Sequence, residues 1–465
     1  MASGKDGFRP VALIVACALF MENLDGSIIV TALPQISHAF KTDVISLSIA
    51  ITSYLLSVAV FIPASGWVAD RFGARTIFCT AIILFALASI CCGLSGDLLM
   101  FTLSRAVQGL GGAMMVPVGR LVLMRSTEKQ DLVKAMAYLT VPAVLGPVLG
   151  PPLGGFIVTY VSWRWIFFLN VPIAILGVIL VLRLIPNSKE EKNPAFDWVG
   201  FVLSGVALAS LVFSLEVASQ KGFSLTLLVL LVIGAATAIL YLRHARRAAN
   251  PILDLRLLGI PTFRSAFLAG NLFRVSAGAA PFLLPIMLQV GFGLTAFSSG
   301  LFVLSTASGS LLMRFLAGGF LRKMGFRIAL TLNGLVCAGL TAAHGLLTPL
   351  TPAIVLVTLL FCTGFLRGLQ YNGIAALNFA DIEKPQMSRA TAMASTAQQL
   401  SQSIGVAFGA MVLNLTLFFR GRESLAPDDF HLAFVAVGIV GAISAVLFLG
   451  LHHNAGSDVS GHRRP

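Results

Sequence analysis

Residues 66–75 of the chain read GWVADRFGAR, and residues 318–327 read GGFLRKMGFR. Both stretches have a first glycine, two adjacent polar residues four and five positions later, a second glycine and a closing arginine. The copies lie 252 residues apart, and each one connects two apolar runs. A polar connection that recurs in this way predicts two related halves, each built from several apolar segments.

The composition identifies the class of protein to which these halves belong. Of 465 residues, 57% are hydrophobic and 11% are charged, and the mean hydropathy is +0.91. Soluble domains carry roughly 25% charged residues, so a soluble globular protein is excluded. The apolar runs predict an all-α polytopic membrane protein with 14 transmembrane helices. The predicted spans are 10–32, 45–69, 76–95, 98–123, 135–160, 165–185, 197–218, 224–243, 264–290, 297–319, 326–347, 352–377, 388–419 and 430–451.

The repeat divides these spans into three parts. Residues 1–190 form a six-helix half, 191–250 two inserted transmembrane helices, and 251–465 a second six-helix half. The 252-residue offset supports the insertion, because it exceeds what two plain six-helix halves need. The first apolar run is too long for a signal peptide, contains Glu22 and Asp25, and lacks a cleavage site, so we expect a retained first span.

The net charge of +13 is a topology signal. Most of the 32 Lys and Arg residues fall in loops that share one side when the N-terminus is cytoplasmic, which predicts that both termini are cytoplasmic. The basic residues do not form one solvated face, so no nucleic acid partner is expected. The six cysteines lie in apolar stretches without metal or redox spacing, and no metal site is expected.

Four arginines fall inside predicted spans, where an unpaired charge is costly. Arg314 is near a span end and is expected to extend toward lipid headgroups, whereas Arg105, Arg274 and Arg367 are interior. The pattern Arg105-x2-Gln108 has an echo in Arg367-x2-Gln370, at a different apparent depth in its helix.

Several motifs in a fixed order resemble the major facilitator superfamily and, within it, the fourteen-helix drug:proton antiporter family of the EmrB/QacA type. They are LDGSIIVTALP at 24–34, the loop at 66–75, LSRAVQGLGGA at 103–113, GPVLGPPLGG at 146–155 and WRWIFFLNVP at 163–172. The segment 111–121 resembles the MdtD-type branch. The resemblance covers nearly the whole chain and implies the major facilitator fold.

The first-helix acid Asp25 is the principal candidate for proton coupling, because burial at low dielectric favours the protonated form of a carboxyl group. Glu22 lies one turn earlier and departs from the usual family pattern. Arg105 is expected at a similar depth, so it can pair with Asp25 and compete with protonation. The alternatives are a permanent structural ion pair for Asp25 and Arg105, and a helix-to-helix hydrogen bond for Glu22.

Two further motifs have conformational roles by resemblance. In the 66–75 loop, glycine is expected to allow the tight turn and Asp70 to accept hydrogen bonds at a neighbouring helix terminus, so that the loop acts as a latch between the halves. Prolines and glycines in the fifth helix should kink it and give it a smooth packing face, and the resemblance makes it the antiporter motif, thought to seal the cavity. The latch residues are Gly66, Asp70, Arg71, Gly73 and Arg75, and the antiporter residues are Gly146, Pro147, Gly150, Pro151, Gly154 and Gly155.

A substrate cavity is expected between the halves. Its candidate residues are Arg274, Arg367, Gln108, Gln289 and Asn372. Arg274 or Arg367 could reach Glu22 or Asp25; otherwise the interior arginines create a positive cavity. Guanidinium groups bind carboxylates in a bidentate manner, so an anionic metabolite or a carboxylate or metal chelate is an alternative to a cationic drug.

The predicted function is therefore proton-coupled antiport that exports small organic molecules or drugs across a bacterial inner membrane by alternating access. A passive channel is a weaker alternative, and no enzyme motif or nucleotide-binding domain is present. No cofactor is expected, because the proton gradient supplies the energy. The expected partners are protons, a small-molecule substrate and the lipid bilayer, with either periplasmic adaptor proteins or a monomeric state.

Overall fold

The computed structural model describes residues 9–127, 132–186, 195–222, 224–383, 386–422 and 424–462. Its regular elements are helices throughout these ranges, and twelve helices among the described residues are long and apolar enough to cross a membrane. The all-α membrane fold predicted from composition is thereby confirmed. The count of twelve spans applies to the described residues, against the fourteen predicted.

The helices run in chain order through the first half, an inserted pair and the second half. The first half contains α1 (Arg9–Ile28), α2 (Leu33–Phe40), α3 (Ser48–Phe72), α4 (Ala74–Leu94), α5 (Leu98–Ser126), α6 (Leu132–Tyr160), α7 (Trp165–Phe168) and α8 (Asn170–Leu184). The inserted pair is α9 (Trp198–Lys221) and α10 (Leu225–Arg247). The second half contains α11 (Pro261–Ile286), α12 (Ala296–Ala343), α13 (Ala353–Leu377), α14 (Met387–Arg420), α15 (Asp429–Leu447) and α16 (Ser457–Ser460).

The repeated loop has the same backbone device in both copies. Gly73 separates α3 from α4 with φ 98°, and Gly325 interrupts the long helix α12 with φ 70°. Only glycine reaches positive φ without steric cost, so these two positions make the turns. The glycine turn expected in the 66–75 loop is thus at Gly73, whereas Gly66 lies within α3, six residues before that helix ends.

The two halves meet at the end of the bundle opposite to the Gly73 turn. There an apolar cluster joins the end of α1 to the end of α11, through Ile29, Leu33, Phe282 and Ile286. Ser403 of α14 donates a hydrogen bond to the Thr52 carbonyl oxygen of α3 at 3.2 Å. This end of the bundle is therefore closed; below it is called the closed end.

The inserted helices α9 and α10 pack against each other, and α9 also packs against α3 and α14. Only 22% of the apolar window of α9 and 11% of that of α10 is buried within the protein. The side chains of this pair consequently face lipid over most of their surface, while α9 lies along the line where the two halves meet.

Candidate functional site

A cavity of about 440 Å³ lies between the halves. Helices α1, α3, α5 and α6 line it from the first half, and α11 to α15 from the second. Most of the wall is apolar, with prolines, leucines and the rings of Tyr54, Phe282 and Tyr371. A concave, mainly apolar cavity with a few polar groups is typical of a site for a small organic molecule.

Asp25 is buried directly behind this wall and is saturated with hydrogen bonds. Arg105 Nη1 lies 2.6 Å from Asp25 Oδ2, while Gln108 Nε2 and Asn170 Nδ2 donate to Oδ1 at 3.0 and 2.9 Å. Asp25 and Arg105 are each 1% exposed. The structure thus brings together the predicted acid and the predicted arginine, and the pair is compatible with both a proton switch and a fixed structural pair.

Sequence reasoning missed the rest of this network. Ser89 of α4 accepts hydrogen bonds from Asn170 and Gln108, and the Tyr54 ring lies 4.3 Å from the Arg105 guanidinium carbon. The available signal was Asn170 itself, a polar residue inside the 163–172 motif at the first position of α8. Gln108 belongs to this network and does not line the cavity, contrary to its predicted place in the substrate site.

Glu22 differs from Asp25 in both exposure and partners. It lines the cavity, and its Oε2 atom has no hydrogen-bond partner. Arg120 acts on Glu22 electrostatically from α5, and no ion pair within 4 Å joins them among the described residues. The acid that departs from the family pattern is therefore the one that a solute in the cavity can reach first.

The second half places a cation on the cavity wall, and none of its described lining residues is acidic. Arg367 lines the cavity with Nε unpartnered, next to Tyr371 and to His344, whose two ring nitrogens also lack partners. Gln370 lies behind Arg367, donating to the Leu330 carbonyl oxygen at 2.8 Å and accepting from Asn333 at 3.0 Å. The Arg-x2-Gln echo thus places an arginine on the cavity wall in each half, although their apparent depths differed in sequence.

Three predicted cavity residues lie elsewhere. Arg274 is buried outside the lining and donates to Asn271 at 3.4 Å, so it does not reach Glu22 or Asp25. Gln289 is at the closed end, where it donates to the Thr31 carbonyl oxygen at 3.0 Å. Asn372 bonds the Gly368 carbonyl oxygen one turn back on its own helix. Each was assigned to the cavity from its position along a predicted span. That position does not determine which neighbour the side chain faces.

Arg314 and the repeated loop lie away from the cavity. Arg314 is exposed, and its extension toward lipid headgroups stays a prediction. Asp70 accepts from Arg125 of α5 at 2.7 Å, and Arg75 donates to the Ile185 carbonyl oxygen at 3.3 Å, so both contacts stay within the first half. The expected latch contact between the halves is not among these interactions, because α3 ends beside α5. Arg71, like Arg314, is exposed.

Helix α6 presents its glycines to two different neighbours. A Cβ atom on Gly146, Gly150 or Gly154 would lie 2.9, 2.0 or 2.5 Å from Asn23, Ser27 or Thr31 of the first span, respectively. Gly155 faces α12 instead, where a Cβ atom would lie 2.4 Å from the Ala296 carbonyl oxygen. Gly300 of α12 makes the reciprocal approach, since a Cβ atom on it would lie 2.2 Å from the Pro151 carbonyl oxygen. Pro147 and Pro151 line the cavity, while α6 continues as one helix through both.

Two helical halves around a solute-sized cavity, with buried charges at membrane depth, define a membrane transporter. The family model of the Major Facilitator Superfamily matches residues 15–406, and the chain belongs to this superfamily of transporters rather than to an enzyme family. Among its relatives is the MdtD multidrug resistance protein of Escherichia coli strain K12, which is 36% identical over 472 residues, 100% of this chain and 99% of the relative.

Solved structures agree with this fold. A peptide transporter POT in complex with sulfate matches with a TM-score of 0.71 at 14% identity, over 98% of this chain and 96% of that one. A D-xylose–proton symporter matches with a TM-score of 0.67 at 14% identity, over 96% and 99%. At this identity the likeness establishes the shared architecture.

Proposed function

We propose that this protein is a proton-coupled antiporter that exports small organic molecules or drugs by alternating access. The observation that supports the proposal is the acid pair on α1: Glu22 lines the cavity and has an oxygen without a hydrogen-bond partner, and Asp25 lies behind it, held by Arg105. An acid on the cavity wall next to a buried ion pair can pass a proton to that pair, so that the proton replaces the arginine as the counter-charge of the carboxylate.

The proposed cycle uses both acids. A proton from the cavity binds Glu22 and then Asp25, where formation of the O–H bond neutralises the carboxylate and weakens its attraction for Arg105. The Arg105 guanidinium is then free to turn toward the cavity, which changes how cargo is held. Release of the proton on the other side restores the pair, and the halves return.

Within the superfamily, we propose that the chain belongs to the fourteen-helix drug exporters of the EmrB/QacA type and to their MdtD-like branch. Two features support fourteen spans: α6 is a further 29-residue helix, and the break at Gly325 divides α12 into two segments, each long enough to cross a membrane. We also propose a bacterial inner membrane location with both termini cytoplasmic, which the distribution of basic residues supports.

The conformational roles of the two motifs remain part of the same proposal. Asp70 and Arg125 hold the turn at Gly73 in one arrangement, and exchange of this ion pair for a partner on the second half would act as the latch in another state. Helix α6 seals the closed end, since its glycines allow main-chain contact with α12 at Gly155 and Gly300. Neither role requires a cofactor, and the chain is proposed to act alone or with a periplasmic adaptor.

A second candidate cargo is an organic anion, including a carboxylate-bearing metabolite or a metal chelate. Arg367 favours it: its guanidinium lines the cavity with Nε free, and none of the described cavity-lining residues from the second half is acidic. A guanidinium without a carboxylate partner in a low-dielectric wall binds carboxylates through charge-assisted hydrogen bonds.

The test is transport by the purified full chain in proteoliposomes with an imposed pH gradient. Lipophilic cations and organic anions are offered separately, and internal pH is followed with a trapped dye. We expect substrate uptake into the lumen to alkalinise it and substrate release to acidify it, in proportion to the flux, and Asp25→Asn to abolish this coupling.

The exposed acid Asp458 provides a matched control, because Asp458→Asn removes one carboxylate outside the membrane. Export that persists in Asp25→Asn at the wild-type rate contradicts the proton assignment. A wild-type rate of substrate flux that does not change with the pH gradient identifies a passive channel instead.

A further inference from the structure

Glu216 is a buried acid on the inserted helix α9 that the proposed cycle does not use. The residue is 2% exposed, and its carboxyl group faces α3. Ser48 Oγ lies 3.1 Å from Glu216 Oε2, and Thr52 Oγ1 lies 3.0 Å from Oε1. Glu216 is five residues before the end of α9, or about 7.5 Å along the helix axis, at the closed end of the bundle.

No cation neutralises this group in the part of the chain that the structure describes. The neighbouring side chains from α3 and α14 are hydroxyls and an amide: Ser48, Thr52, Ser403 and Asn414. The titratable residues of α10, which are Tyr241, Arg243, His244, Arg246 and Arg247, lie at its opposite end, and those of α14 are Arg389 and Arg420, at its two ends.

On α3 the titratable residues are Tyr54, at the cavity, and Asp70 and Arg71, at the opposite end; Asp43 precedes the helix. Arg420 is itself held by Asp428 and Asp429. An ionised carboxylate among neutral groups inside a membrane carries a large desolvation cost, so the surroundings favour the neutral acid.

The hydrogen-bond geometry points the same way. The hydroxyl of Thr52 has one hydrogen and two acceptors in range, the Ile49 carbonyl oxygen at 3.1 Å and Glu216 Oε1 at 3.0 Å. If Glu216 is ionised, one of these contacts has no hydrogen. If Glu216 is protonated, it donates to Thr52 Oγ1, Thr52 donates to Ile49, and every contact is satisfied.

Glu216 also lies where the inserted helix meets both halves. The carbonyl oxygen of Thr52, on the first half, accepts the hydrogen bond from Ser403 of the second half. Three residues beyond Glu216, Ser219 accepts from Asn414 of α14 at 2.8 Å. Separation of α3 from α14 would therefore break this junction and admit water to the carboxyl group.

We propose that Glu216 forms a second proton-binding site. A proton occupies it while the halves are in contact at the closed end and leaves it when they separate there. The proton comes from hydronium in the solution at that end and forms the Glu216 Oε1–H bond. On opening, the O–H bond breaks, the proton passes to water, and the carboxylate becomes hydrated. Proton binding here thus favours closure, so the inserted helices couple the pH at this end to the conformational cycle.

This inference rests on the alternating access proposed above, but not on Asp25 as the transported-proton site. Its first test is infrared spectroscopy of the full chain in lipid nanodiscs, at a pH at which exposed carboxyls are ionised. We expect a protonated-carboxyl C=O band that shifts in D₂O, is lost in Glu216→Gln and is retained in Asp25→Asn. A spectrum unchanged by Glu216→Gln would mean an ionised Glu216 and would overturn the proposal, as would loss of the band on adding NaCl, which indicates a sodium site.

The second test measures opening directly. Spin labels at Leu99 and Leu350, which are 70% and 92% exposed near the closed end of the two halves, report the distance between them. The exposed native cysteines Cys17, Cys91 and Cys362 are first replaced.

For one linked proton, the open-to-closed ratio rises by up to about tenfold per pH unit. Glu216→Gln should lower the pH dependence of the open-to-closed ratio by the contribution of one proton, and the same decrease should appear in an Asp25→Asn background. A pH dependence equal to that of the protein that retains Glu216 overturns the proposal. If the wild-type chain shows this pH dependence of opening but no proton-driven export, the proposed function fails and the Glu216 site does not.

Discussion

The Arg-x2-Gln pattern has different partners in the two halves. In the first half, Arg105 is paired with Asp25, and Gln108 completes the shell around that carboxylate. In the second half, no acid pairs with Arg367 among the described residues, and Gln370 donates to the backbone of α12. The first arginine is therefore neutralised inside the protein, while the second offers its charge to the cavity. Repeated architecture here provides two copies of a position whose chemistry has diverged.

Removal of each arginine should separate these roles most strongly. Arg105→Met leaves Asp25 buried without a counter-charge, for which we expect a loss of about 3–5 kcal/mol in the free energy of unfolding. Arg367→Met should change it by less than about 1 kcal/mol, because no buried acid is left behind. Unfolding of both variants in mixed micelles measures the difference. The double variant with Asp25→Asn should recover part of the Arg105 loss; equal losses for the two arginines would contradict the comparison.

Substrate affinity should show the reverse order. If the cargo is anionic, Arg367→Gln removes a charge-assisted contact of about 1.5–3 kcal/mol, and the KM for export should rise roughly tenfold or more. Arg274→Gln is the matched control, since Arg274 is also buried but lies outside the cavity lining. Initial rates over a range of concentrations provide the measurement. An equal rise in both variants would assign the effect to folding.

The two glycine turns provide a smaller contrast. Gly73→Ala and Gly325→Ala both place a side chain at positive φ with an extended ψ, which costs about 1–3 kcal/mol. At Gly325 the new Cβ would also lie 2.8 Å from His462 Cδ2, so the C-terminal segment must move. Gly66→Ala has no atom within 4 Å of its Cβ and should be neutral or slightly stabilising. Melting temperatures rank the three, and protease access after residue 450 reports displacement in Gly325→Ala alone.

The smallest effect is expected at the Asp70–Arg125 ion pair of the repeated loop. Asp70→Asn removes an ion pair whose side chains are 30% and 22% exposed, and its contribution to stability is at most about 1 kcal/mol. Because the second copy has Arg322 in place of Asp70, Arg322→Asn should not change stability measurably. A loss of transport rate in Asp70→Asn without a change in melting temperature would show that the pair acts in the cycle. Loss of both together would limit it to folding.

Sequence alone identified the features that depend on composition and local spacing. The membrane fold, the repeated loop and the meeting of Asp25 with Arg105 follow from hydropathy, from a fixed offset and from similar depth. Asn170 and Ser89 were missed because their place beside Asp25 depends on the packing of α4 and α8 against α1, which no spacing records.

Rotation of each helix about its axis was the main source of error. Arg274 and Arg367 both fall at interior depth, yet only Arg367 faces the cavity. Glu216 was overlooked because a single acid near the end of an apolar run reads as a span boundary. Gly66 and Gly73 are both glycines of one loop motif, and only the backbone conformation shows which one turns the chain.

The contact of α6 with α12 has a kinetic consequence. Where Pro151 meets Gly300 and Gly155 meets Ala296, main chain lies against main chain, while nearby the rings of Phe156 and Tyr160 of α6 pack against Phe297 of α12. Separation at the glycines requires no change of side-chain rotamer, so the side chains that must repack there are those of this aromatic group. The barrier to opening is therefore expected to depend mainly on the three rings, and the main-chain contact can be tight and still open quickly.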